Sequence, residues 1–203
     1  GTGAADKTSI DVPDSAGLQF NTTEYSWRVR YKGSDLGWSE WSSATNFTTI
    51  AELPPDLFSG SNDNSVRKID PSNMSEVGIF SGHSSTVNSV NFGSDGFLYS
   101  GSSDNSVRKI DPSNMSQVGV FNGHTDFVPS INFGSDGFLY SGSGDNSVRK
   151  IDPSNMSEVG IFSGHSSTVN SVNFGSDGFL YSGSSDNSVR KIDPSNMSQV
   201  GVF

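Results

Sequence analysis

Cysteine is absent from the 203 residues. That excludes disulfides and thiolate zinc sites and is compatible with either side of a membrane. No apolar run approaches the ~20 residues of a membrane-crossing helix, and no secretory leader is expected. The chain does not begin with Met, so a processed product or an excerpt is expected. Basic residues are few. Twelve Lys and Arg against 22 Asp and Glu give a net charge of −10. Residues 1–55 carry −3 of this (seven acidic, four basic) and the rest −7. With no basic footprint, nucleic acid is not an expected partner. Hydrophobic residues make up only 32 %, while Gly and Ser are abundant. The apolar residues are gathered in short runs, so folded β structure is expected rather than disorder.

What is present is a repeat. Gly-His stands at Gly82-His83, Gly123-His124 and Gly164-His165, a spacing of 41 residues. Gly-Ser-Asp-Gly recurs from Gly93, Gly134 and Gly175 at the same spacing. The run NSVRKIDPSNMS occurs four times, from Asn64, Asn105, Asn146 and Asn187. A fixed period of this size means one supersecondary unit repeated. Each unit holds four β-like runs, for example 86–92, 97–102, 106–111 and 117–121. They are rich in Val, Phe, Tyr and Ile and lack helical periodicity. The Asp95-Gly96 pair fits a tight hairpin needing positive φ, and Asp111-Pro112-Ser113-Asn114 a type I turn. One four-stranded antiparallel sheet per ~40 residues is the propeller pattern, so an all-β fold is expected.

The unit resembles a WD-repeat β-propeller blade. The resemblance is carried by Gly82-His83, Ser94-Asp95-Gly96, Ser100-Gly101-Ser102, Asp104, Val107 and Ile110-Asp111, and covers residues 57–203. It implies a buried hydrogen-bond network joining His83, Ser100 or Ser102, and Asp104, repeated with His124 and Asp145 and with His165 and Asp186. The sequence departs from the pattern in two places. Ile69, Ile110, Ile151 and Ile192 stand where the family has Trp, and Lys68, Lys109, Lys150 and Lys191 take the usually apolar position before it.

Residues 1–49 differ in character. Residues 1–15 are small and polar, fitting a flexible lead-in or a weak strand. All three Trp lie between residues 17 and 49, and Tyr25-Ser26-Trp27-Arg28-Val29-Arg30-Tyr31 alternates strictly, as a strand does. Trp38-Ser39-Glu40-Trp41-Ser42 is similar to the Trp-Ser-x-Trp-Ser box of fibronectin type III modules, and the segment resembles part of one. A ladder in which Trp38 and Trp41 stack on Arg28 and Arg30 is expected, each contact contributing about 0.5–2 kcal/mol; a Trp binding surface is the alternative. Residues 50–56 form a linker stiffened by Pro54-Pro55.

The blades then start partway through one. Residues 57–81 supply three strands but no Gly-His, and three fuller blades follow at 82–122, 123–163 and 164–203. A second period lies over the first: residues 63–121 are identical to 145–203 over 59 positions. Blades therefore alternate between a Glu flavour (Glu76, Glu158) and a Gln flavour (Gln117, Gln199). The first blade has the Glu flavour, so its missing strand should resemble 122–133. Three sources are open: continuation of the same chain, a second copy, or residues 44–51.

The recurring His, Asp and Ser invite a nucleophilic triad, but nothing marks one blade as a reaction centre, so a structural role is expected. The histidines lie in different blades, and no Asp-rich turn offers the oxygen set of a calcium loop. No metal and no cofactor are expected. Gly-Ser-Gly runs such as that at Gly142 lack the Lys of a phosphate loop. Arg67-Lys68 and its repeats fit a solvated or ion-paired strand face. Asn21, Asn46, Asn73 and the repeats of Asn73 have the form of glycosylation acceptors. In the blade at 123, Thr125, Asp126, Phe127 and Pro129 replace Ser84, Ser85, Thr86 and Asn88, which makes Asp126 and Phe127 the ligand-face candidates; packing of Phe127 between blades is the alternative.

The expected function is that of a non-enzymatic structural or adhesive repeat protein, self-associating or completed by more of the same chain, with a protein or glycan ligand. The expected setting is extracellular or on a virion or cell surface, as part of a phage or microbial appendage. An engineered or recently amplified propeller scaffold without an evolved ligand is the alternative.

Overall fold

A computed structural model describes residues 56–203 and, before them, the strands β1 (Glu24–Trp27), β2 (Lys32–Gly33), β3 (Gly37–Trp38) and β4 (Thr45–Thr48). The chain divides into two compact units, Gly1–Pro55 and Asp56–Phe203. In the first, β1 pairs antiparallel with β4 and β2 with β3. Arg28, Arg30 and Trp41 lie outside the described residues, and Trp38 is placed only as the end of β3, so the expected Trp–Arg ladder lies outside them too. The fibronectin-like reading of residues 1–49 remains an expectation from sequence.

The second unit is all-β. A three-stranded sheet, β5 (Leu57–Gly60), β6 (Val66–Asp70) and β7 (Ser75–Phe80), comes first. Three four-stranded sheets follow. The first holds β8 (Val87–Phe92), β9 (Leu98–Ser102), β10 (Val107–Asp111) and β11 (Ser116–Phe121). The second holds β12 (Ser130–Phe133), β13 (Leu139–Gly142), β14 (Val148–Asp152) and β15 (Ser157–Phe162). The third holds β16 (Val169–Phe174), β17 (Leu180–Ser184), β18 (Val189–Asp193) and β19 (Ser198–Val202). Every pairing is antiparallel and between chain neighbours, as in propeller blades. The observed strands differ from the expected bounds by one residue. The exception is β12, which starts two positions later than β8 and β16 because Pro129 has no N–H and a fixed φ.

The turns show why these runs reverse where they do. Gly93 and Phe97 close a three-residue loop in which the Gly96 amide donates to the Gly93 carbonyl (3.1 Å), with Gly96 at φ 82°. The loop at Ser103-Asp104-Asn105 is the same turn with Asn105 at φ 69°. Asn is among the few side chains that tolerate this region. The third turn is longer than the expected four residues: the Met115 amide donates to the Asp111 carbonyl (2.8 Å), and Met115 itself takes φ 57°. Met74, Met156 and Met197 do the same. A left-handed Met costs on the order of 1–3 kcal/mol, and in the fuller blades burial of its side chain offsets that.

Successive sheets pack face to face, the first strand of each fuller blade meeting the sheet before it (β8 on β5, β12 on β8 and β9, β16 on β12 and β13). Three buried clusters lie in the three joints. The joint between the second and third blades is built from Tyr99, Val107 and Phe121 on one side and Val128, Ile131, Leu139, Ile151 and Met156 on the other. Ile110 and Ile151, at the family's Trp position, are fully buried. The amide at the start of each first strand reaches into the preceding blade: Val87 to Ser61 O, Val128 to Ser102 O and Val169 to Ser143 O, at 2.9–3.0 Å.

Among the described residues, strand β5 has β6 as its one partner in the sheet. Of residues 44–51, one expected source of the missing strand, the structure describes Thr45–Thr48, which form β4 and pair with β1. In the repeat's register Asn46 and Thr49 stand where Val128 and Ile131 do, so the segment also lacks the apolar pair that a first strand buries.

Candidate functional site

One end of each fuller blade is organised by an aspartate in the loop between its second and third strands. Asp104 Oδ1 accepts from the Ser106 amide (3.0 Å) and hydroxyl (2.6 Å), which fixes the carboxylate beneath the loop. Its Oδ2 accepts from His83 Nδ1 (2.8 Å) and from the Ser84 amide (3.0 Å). A carboxylate only accepts, so Nδ1 carries the proton. Nε2 of the neutral ring then accepts from the buried Ser100 hydroxyl (2.7 Å). Of the two serines open in the sequence, Ser100 is the one joined to histidine; Ser102 donates to the Ser85 carbonyl and accepts from the Asp104 amide. His124 with Asp145 and Ser141, and His165 with Asp186 and Ser182, repeat the set at the same distances.

The electrostatics follow from this geometry. Burial alone would raise the Asp104 carboxyl, but the Ser106 hydroxyl, the Ser84 amide and His83 outweigh it and hold the group down at about 2. Burial lowers His83 below its ordinary 6.5, even against the opposing pull of Asp104. The ring is therefore neutral at pH 7, with both nitrogens engaged. An edge-on ring contact from the preceding strand, Phe80 on His83 and Phe121 on His124, closes each site at 5.8–5.9 Å.

Asp126 and Phe127 lie at this same end of the third blade. Asp126 is exposed and Phe127 half-buried. The ring of Phe127 rests on Gly144, where an added Cβ would come within 2.6 Å of it. The neighbouring blades have Thr86 with Ser103 and Thr168 with Ser185 at these two positions, and there Asn88 and Asn170 donate to the serine hydroxyls (3.0 and 2.8 Å). The third blade thus exchanges a polar pair for an aromatic ring over a glycine. The sequence signal is Gly144 itself, unique at its position among the blades. Phe127 packs within its own blade, a partner not anticipated for it.

The opposite end carries a device that sequence reasoning missed. Lys109 Nζ donates to Asp95 (2.7 Å) in its own blade and to the Pro153 carbonyl (2.8 Å) of the next, above the Phe97 ring at 4.2 Å. Lys150 repeats this with Asp136, Pro194 and Phe138, and Lys68 reaches Asp56 and Pro112. The lysine expected on a solvated or ion-paired strand face is an ion-paired clip between blades. Beside it, Met115, Met156 and Met197 each fit against a glycine of the preceding blade (Gly78, Gly119, Gly160), where an added Cβ would meet the Met chain at 2.7–2.8 Å. The signal was an apolar residue repeated in an otherwise polar turn, facing a glycine repeated at fixed spacing.

Among the described residues nothing covers the two end faces of the unit. Met74 is 66 % exposed where Met156 is 7 %, and Leu57 47 % where Leu139 is 0 %. At the other end Val189 is 42 % exposed where Val107 is 0 %, and Phe203 96 % where Phe121 is 5 %. Among the described residues no three His, Asp or Glu side chains gather where they could hold a metal ion.

No curated protein matches the chain closely enough to count as a relative. The family profile described as WD domain, G-beta repeat, matches residues 74–111, 115–152 and 156–193. Each match takes the outer strand of one blade together with the three inner strands of the next, so that a single repeat staples two sheets. Three such matches cover more than half of the sequence, and with the blade topology and the repeated His–Asp pairs they place the chain in the WD40 repeat family.

Proposed function

We propose that the chain is a non-enzymatic structural or adhesive scaffold that self-associates through its two uncovered blade faces. WD40 repeats commonly act as platforms for protein interaction, and here the platform is assembled from more than one copy or from more of the same chain. The observation that carries this reading is the exposure of Leu57, Met74, Val189 and Phe203, whose equivalents are buried in internal joints. Uncovered apolar faces of this kind mark interaction surfaces, and a bare β5 edge offers a place for one more strand. A segment like 122–133 fits that place. Two copies would bring eight blades, within the usual four to eight. The Asp126 and Phe127 end of the third blade is the proposed contact for a protein or glycan partner, in an extracellular, virion or cell-surface setting such as a phage or microbial appendage.

Light scattering on a sizing column tests the reading. A mass of two or more times 21.5 kDa is expected; a monomer at all concentrations overturns it. The identity of residues 63–121 with 145–203 favours a second reading, an engineered or recently amplified scaffold with no evolved ligand. Binding to a protein and glycan panel that is lost in Asp126→Ala and Phe127→Ala would decide against it.

A further inference from the structure

We infer that the self-association proposed above is head to tail and in one register: the last blade of one copy receives the first blade of the next as an internal joint does. This deepens that reading by naming the contact. The last blade has the Gln flavour and the first the Glu flavour, so the new joint repeats the one between the second and third blades. That joint buries eight residues. Six have identical equivalents on the two open faces: Tyr181, Val189 and Phe203 at the end, and Leu57, Ile69 and Met74 at the beginning. The two without equivalents, Val128 and Ile131, belong to the first strand that the opening blade lacks.

Both halves are already set. Met74 holds φ 59° although it is exposed, beside 58° for the buried Met156. Its counterpart, Gly201, has only the Lys191 Cβ near an added Cβ, at 3.8 Å, whereas Gly119 has Met156 at 2.7 Å. Lys191 is in place on Asp177 (2.8 Å) and above the Phe179 ring (4.0 Å), as Lys109 is on Asp95 and Phe97. Each earlier lysine also donates to a proline carbonyl 44 residues on. Continued through the repeat, the acceptor for Lys191 is the Pro71 carbonyl of the next copy. Among the described residues no lysine reaches that carbonyl.

The absence of cysteine makes the register directly testable. In the internal joint an ideal Gly119 Cβ lies 3.8 Å from the Met156 Cβ, inside the roughly 3.5–4.5 Å span of disulfides. Full-length Met74→Cys and Gly201→Cys chains, one carrying a mass tag, are mixed and mildly oxidised. Both substitutions fall on open surface, so both chains should fold, which circular dichroism checks. A linked pair holding one chain of each kind, at least tenfold above the linkage in either chain alone, is expected. Gly201→Leu, which fits the single chain but fills the place of Met74, should weaken association at least tenfold. Mixed linkage that is missing while the wild type associates would overturn the register and leave self-association standing. A wild type monomeric at every concentration would overturn both.

Discussion

The stretches 63–121 and 145–203 have the same 59 residues and different surroundings. Ile69 and Met74 open the first stretch on an uncovered face, while their twins Ile151 and Met156 are buried against the second blade. At the other end the relation reverses: Val107 and Phe121 are covered by the third blade, and Val189 and Phe203 face solvent. Local structure is indifferent to this. Strand bounds (apart from the last residue of the final strand), the left-handed Asn and Met, and the lysine on its aspartate repeat in both stretches. Sequence therefore sets the shape of each blade and the chemistry of its two faces, and only the neighbour decides whether a face is core. In a repeat array stability is a sum of unit and joint terms, and the twin stretches separate the two.

The sharpest break of the comparison is Ile151→Ala against Ile69→Ala. The first leaves a cavity in a closed joint and should cost about 2–5 kcal/mol. The second, in dilute solution, should cost about 1 kcal/mol or less, because its side chain is only half-buried. Urea midpoints measure both. If the ends meet at higher concentration, the cost of Ile69→Ala should rise toward that of its twin. Equal costs in a demonstrated monomer would contradict the open face.

The histidine sites come next. His124→Ala leaves Asp145 and the buried Ser141 without their shared partner and should cost about 1–3 kcal/mol. Acid should act in the same direction. His83 lies below 6.5 in the folded state, so the unfolded chain binds that proton first, and stability falls as pH drops from about 6.5. Asp104, held at about 2, adds a second loss between 3.8 and 2. Stability that is flat from pH 7 to 4 would contradict a buried neutral imidazole, and His83→Ala should shrink the upper step.

A smaller effect tests how the third blade differs from its neighbours. Gly144→Ser alone pushes a Cβ to within 2.6 Å of the Phe127 ring, and Phe127→Thr alone uncovers that ring's place. Together they restore the Thr–Ser pair of the other blades. The double variant should therefore be more stable than the sum of the single losses predicts, by about 1 kcal/mol. Strict additivity would mean that the two positions are independent.

Much of this was legible in the residues. The 41-residue period, four apolar runs and Gly or Asn turn signals fix strand order and turn positions because they act locally. The His–Asp pairs, 21 residues apart, were implied by the resemblance to a WD-repeat blade. What stayed hidden depends on the neighbouring blade. Lys109 looks like a surface charge until Pro153 is beside it, and Met115 looks like a turn residue until it meets Gly78. The choice of Ser100 over Ser102 needed the folded geometry, since the two sit on one strand face and only their place relative to His83 separates them.

The smallest expected effect concerns the charge difference that marks the two blade flavours. Arg149 pairs with Glu158 where Arg108 and Arg190 hydrogen-bond Gln117 and Gln199. The charge gives the Glu blade an ion pair, but at a partly exposed site such pairs contribute about 0–1 kcal/mol. The Gln blades have a compensation: Arg108 Nε donates to Ser106 (3.3 Å) and Arg190 Nε to Ser188 (3.4 Å), while the buried Arg149 Nε is without a partner. Glu158→Gln removes the ion pair and frees Arg149 to turn its Nε to Ser147. The two changes oppose each other, so a stability change within about 0.5 kcal/mol is expected, and added salt should narrow it further. A loss above about 1.5 kcal/mol would mean that the Glu–Gln alternation sets blade stability, and that the two flavours are not interchangeable in the joints.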